Sequence, residues 1–135
     1  MKSRYEGIQN YIMHADASCF FLSLLSIAEE ENYRQGAERP EVDFLDAARE
    51  CMNRGWLRND FTVLYDCAIL KHLTGRKCLK EVVQNAGIVS MNQYTIEKWA
   101  WGEKTHFRRR GFDVYTDSKT VANGVKQCYY KYTFK

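Results

Sequence analysis

Residues 14–28 read HADASCFFLSLLSIA, and the reading of this stretch decides the rest. Phe20, Leu24 and Ile27 recur at helical spacing, and so do Phe21, Leu25 and Ala28. The two stripes together form a wide apolar face, so the spacing predicts a central, buried helix over about Ser18–Glu31. Asp16 or Ser18 is suited to accept hydrogen bonds from the free amides of its first turn. Cys19 stands at the front of this helix. It is either one more buried thiol or a nucleophile held at a helix N-terminus, where the partial positive charge favours an anion.

Composition narrows the classes. The chain has 135 residues, enough for one domain with a single core. Twenty basic and 17 acidic side chains leave a formal charge of +3, too small an excess to predict a nucleic-acid or membrane partner. No apolar run approaches the roughly 20 residues that cross a bilayer. The N-terminal MKSRYEGIQNYIMH has no continuous apolar stretch of the secretory kind, so a cytoplasmic location is expected. Cys19, Cys51, Cys67, Cys78 and Cys128 are odd in number and spread evenly, with no CxxC pair. That is a poor disulfide framework and a poor zinc site, and the expectation is reduced thiols acting as small hydrophobes.

Working outward, Pro40 ends the polar stretch EEENYRQGAERP, which reads as a helix end and loop. A second helix is predicted over Asp43–Arg54, capped by Asp43, stopped at Gly55, and facing inward with Phe44, Leu45, Ala48 and Met52. A third follows Asp66, with Ile69, Leu70 and Leu73 inward and Gly75 closing it. Between them WLRNDFTVLY is compatible with an extended segment. These elements make a helical middle segment of about residues 40–76 within a single domain, 1–135. After Gly75, LKEVVQ, YTIEKWAW, THFRRR, FDVYT and VKQCYYKYTF are rich in β-branched and aromatic residues. In the last, Cys128, Tyr130, Tyr132 and Phe134 share a face. The predicted class is α+β: an N-terminal buried helix packed on a mostly antiparallel C-terminal sheet.

A nucleophilic cysteine needs a histidine to take its proton and a third group to orient that histidine. His106, at the start of THFRRR, is the candidate base. If THFRRR and FDVYTD form a hairpin, Asp117 returns near His106, whereas Asp113 stays by the turn. DASCFFLSLLS, THF and VYTDSKTVANG, in that order, resemble papain-like cysteine peptidases, in particular small bacterial and phage members related to the bacteriocin-processing, double-glycine peptidases. The middle stretch GWLRNDFTVLYDCAILKHLTG is also similar to such proteins. The resemblance implies a papain-like fold and a catalytic set of Cys19, His106 and Asp117. It also implies hydrolysis of a peptide, peptidoglycan-type or other amide bond through a thioester, with no metal or organic cofactor. Such enzymes carry a glutamine about six residues before the cysteine as an oxyanion donor, and Met13 stands there in this chain. His14 or Gln9, with the Cys19 backbone N–H, are the substitutes on offer. Phe20 follows the cysteine where many relatives have a small residue.

Two other function classes stay open at this level. One is a catalytically inactive relative serving as a binding module, motivated by Met13. The other is a small nucleic-acid-binding domain using Arg108, Arg109 and Arg110 beside Trp99, Trp101 and Phe107. Strand alternation turns Arg109 away from its two neighbours, which weakens the second. His72, in a helix end, is explained by the helix dipole.

Overall fold

The computed structural model describes residues 18–85, 87, 89–101, 104–109 and 124–135. Within them run three helices and then four strands: α1 (Ser18–Arg34), α2 (Phe44–Asn53), α3 (Asp66–Thr74), β1 (Cys78–Val83), β2 (Gln93–Trp101), β3 (Lys104–Arg109) and β4 (Val125–Phe134). The strands form one sheet in the order β1-β4-β2-β3, antiparallel at every pairing. The α+β class and the packing of the N-terminal helix on the sheet match the sequence expectation. FDVYT, predicted as a strand, lies outside the described residues. No described helix is long and apolar enough to cross a membrane.

Helix α1 is enclosed on two sides. Phe21, Leu24, Leu25, Ile27 and Ala28 have no exposed surface. Phe21 meets Phe44 of α2 and Phe61 of the following loop, at ring-centroid distances of 5.9 and 6.1 Å. Phe20, about 100° further round the helix, turns instead to the sheet and stacks on Phe107 of β3 at 4.3 Å. The two apolar stripes are thus two interfaces. Helix α1 runs three residues past its predicted end, and of these Asn32 is half-buried while Tyr33 and Arg34 are exposed.

Helix α2 has the expected cap: the Asp43 carboxylate accepts the Asp46 amide at 2.8 Å. Its inward face differs from the prediction. The buried set is Phe44, Ala47, Ala48 and Cys51, a strict i, i+3, i+4, i+7 stripe. Leu45 sits one residue off that stripe and is 68% exposed. Helix α3 ends where glycine permits, with Gly75 in the left-handed region at φ +72°. WLRNDFTVLY is not a strand: it folds back on itself with a single bridge between Leu57 and Val63. Phe61 holds a left-handed backbone there, at φ +68°. That conformation costs a bulky residue about 1 kcal/mol. Stacking of the Phe61 ring on Phe44 at 5.8 Å, and its packing against the core, offset the cost.

The inner face of the sheet supplies the other wall. Tyr94, Ile96, Tyr132 and Phe134 are buried against the helices. The predicted face of β4 is confirmed for Tyr132 and Phe134, which are fully buried, with Cys128 and Tyr130 half-buried.

The contrast on α2 is measurable in urea denaturation. Phe44→Ala should lower stability by about 3 kcal/mol, and Leu45→Ala by less than about 0.5 kcal/mol.

Candidate functional site

The first turn of α1 abuts β3, and this contact brings the sequence candidates together. Cys19 is the second residue of α1 and is 4% exposed. Its Sγ accepts a hydrogen bond from the backbone N–H of Phe107 at 3.4 Å. Phe107 follows His106 directly, so covalent geometry holds the sulfur within about 6.5 Å of the His106 Cα. His106 itself is 6% exposed. The Phe20–Phe107 stack holds the helix start on this strand, one residue from His106.

Alternation along β3 divides its side chains. Phe107 and Arg109 face α1: Phe107 stacks on Phe20, and the Arg109 guanidinium donates to Ser26 Oγ at 2.8 Å and pairs with Glu30. His106 and Arg108 leave on the opposite face. There His106 stands directly across from Trp99 in the register, and Arg108 pairs with Glu97 at 3.0 Å. Trp99 Nε1 also donates to Glu97, at 3.2 Å. The register of β2 against β4 shifts between Lys98 and Trp99, an irregularity that re-aims the strand beside His106. Lys126 of β4 closes this layer, bonded to the Tyr129 hydroxyl with its ammonium 5.9 Å from the Trp99 ring centroid.

Asp117, the third member of the predicted set, lies outside the described residues, and so do both oxyanion candidates, His14 and Gln9, together with Met13. Among the described residues, no group of three or more His, Cys, Asp and Glu side chains is placed to hold a metal ion.

The arginine strand does not form a cationic patch among the described residues. Arg109 is 8% exposed and engaged by α1, and Arg108 is paired with the buried Glu97 on the other face. Arg110 lies outside the described residues. His72, in the last turn of α3, packs edge-on against Trp56 at 5.7 Å, in keeping with a structural role.

The sequence reading missed two features here. One is the Phe107 amide as the partner of the thiol, which no side-chain pattern encodes. The other is the buried polar seam between α1 and the sheet. Glu31 is 1% exposed, with Tyr94 Oη donating at 3.0 Å and Gln35 Nε2 at 3.2 Å, and it forms an ion pair with Arg76 at 3.2 Å. Its signal was legible: Glu31 continues the apolar series Leu24, Ile27, Ala28 at helical spacing, so a carboxylate was due to enter the core.

Comparisons with protein-family models, curated proteins and solved structures return no match for this chain.

The Arg109 clamp can be tested separately from any chemistry. Arg109→Met should cost about 2 kcal/mol in urea denaturation; the penalty is moderated because Glu30 keeps contact with solvent. The loss should be largely absent when Glu30→Gln is already in place, since the two side chains form one unit.

Proposed function

We propose that this chain is a papain-like cysteine hydrolase that cleaves a peptide or other amide bond through a thioester. The observation that supports this most directly is the Phe107 N–H to Cys19 Sγ hydrogen bond. It brings a thiol from the first turn of a buried helix to the strand position next to His106, the histidine that in this reading activates it.

In this reading the Cys19 sulfur attacks the substrate carbonyl, and its proton passes to the His106 imidazole. The imidazole leaves β3 on the Trp99 side, so in this reading it turns past the strand to take the proton. His106 then protonates the departing amine, and the acyl group stays on Cys19 as a thioester. Water, deprotonated by His106, releases the acid and restores the thiol. Asp117 orients the imidazole. The Cys19 backbone N–H, with His14 or Gln9, steadies the tetrahedral oxyanion. The substrate is a protein, a peptide or a peptidoglycan-type amide, and the reaction needs no metal or organic cofactor.

The 4% exposure of Cys19 favours a second reading, a catalytically inactive relative that binds a partner and keeps the thiol as packing. One labelling experiment separates the two. With a small alkylating probe near neutral pH, the catalytic reading expects Cys19 to react at least about tenfold faster than Cys51 or Cys128, and His106→Ala to remove that advantage. Cys51 is the internal slow reference, because burial pushes its thiol up to about 11. Equal rates at Cys19 and Cys128 would favour the inactive module. On a cleavable amide substrate, Cys19→Ala should abolish turnover and His106→Ala should lower kcat by roughly 10²–10⁴-fold.

A further inference from the structure

A second pair of thiols lies in the contact between α3 and β1, on residues that the proposed hydrolysis does not use. Cys67 is the second residue of α3 and is half-buried; Cys78 opens β1 and is 7% exposed. The turn at Gly75 folds the chain back and makes the two thiols neighbours, close enough for each to shift the ionisation of the other. Contacts that do not involve sulfur hold the same two segments together. The Asp66 carboxylate, one residue before Cys67, accepts the Tyr132 hydroxyl at 2.8 Å and pairs with Lys80 at 2.8 Å. Lys80 and Tyr132 are register partners, two positions along from the Cys78–Phe134 pair. The start of α3 is therefore pinned over the start of β1, with the thiols facing each other.

We propose that Cys67 and Cys78 are a site of reversible oxidation, closing to a disulfide that staples α3 to β1 when the chain meets a low-molecular-weight disulfide such as oxidised glutathione. Cys67 makes the first attack, since it is the more exposed of the two. The neighbouring Cys78, with the charge of Lys80 adding to it, also holds the Cys67 thiol below its ordinary range, against the opposing effects of burial and of the Asp66 carboxylate. The Cys67 thiolate displaces one glutathione thiolate, which takes up a proton from solvent, and a mixed disulfide forms. Cys78 gives its proton to solvent, its sulfur attacks the Cys67 sulfur, and the second glutathione leaves as thiolate and is protonated. Two protein thiols and one disulfide become one protein disulfide and two small thiols. The Asp66 contacts hold the two segments together before oxidation, so the staple closes between parts of the fold that are already in place. The pair escaped the sequence reading because the two cysteines stand 11 positions apart in no recognised redox spacing.

The test uses the full chain in its native state, equilibrated with oxidised and reduced glutathione, quenched with acid, alkylated and digested. A peptide joining Cys67 to Cys78 is expected, with Cys51 and Cys128 unlinked and Cys19 read on its own peptide. In Cys78→Ser, glutathione should instead accumulate on Cys67. The urea midpoint of the oxidised wild-type chain should shift upward, and dithiothreitol should reverse the shift. Glutathione stable on Cys67 of the wild-type chain with no linked peptide, or no oxidation at either residue while the chain is folded, would overturn the proposal.

Discussion

Helix α1 is apolar around most of its circumference, and such a helix must be covered on more than one side. Phe21 demands one wall and Phe20 another, since successive residues point about 100° apart. The first wall is built by α2, α3 and the Phe61 loop, the second by the inner face of the sheet. Each large buried side chain contributes roughly 1.5–3 kcal/mol. The position of α1 is therefore fixed by many contacts of similar size along its length, and the placement of its first turn follows. Cys19 is held against β3 because Phe20, next to it, stacks on Phe107 of that strand and packs against Tyr130 of β4.

Polar groups set the orientation within this enclosure. Apolar contacts are undirected, whereas Glu31 and Arg109 each have a defined set of partners. An unpaired carboxylate or guanidinium at these depths would cost several kcal/mol, so a helix rotated or slid by one residue would be penalised. Glu31 fixes the C-terminal half of α1 against Tyr94 of β2 and against Arg76 in the α3–β1 turn. Arg109 fixes its middle against β3. Near the other end of the same helix, the Phe107 amide reaches Cys19. The ionic seam and the thiol contact are thus consequences of one docking geometry.

The sheet gives β3 two unlike faces. One carries Phe107 and Arg109 into the interface with α1; the other carries His106 and Arg108 into a layer of Trp99, Glu97, Lys126 and Tyr129. Among the described residues this division spends the charges of Arg108 and Arg109 in opposite directions, so these two do not form one patch. It also sets the geometric condition on the proposed chemistry: thiol and imidazole lie on different sides of β3, and the proposal requires them to meet past the strand. The thiol pair of α3 and β1 arises in the same way, from a strand start and a helix start brought together by Asp66, Lys80 and Tyr132.

Sequence alone determined the elements and their class. Periodicity of 3.6 marked three helices, glycines and Asp43 marked ends and a cap, and β-branched and aromatic runs marked the strands, because these signals depend on neighbours a few residues away. The same logic failed where one residue of phase mattered. Leu45 is expected inward and points out, and WLRNDFTVLY, compatible in sequence with an extended segment, folds back on itself with Phe61 in a left-handed backbone. Cys19 and His106 were legible as candidates from residue type and order. What only the tertiary structure decided is which groups touch: the amide on the Cys19 sulfur, the destinations of Arg108 and Arg109, the partners of Glu31, and the meeting of Cys67 with Cys78. These contacts join residues far apart along the chain. They are set by how α1 is enclosed and how the strands are ordered, and no local pattern carries that information.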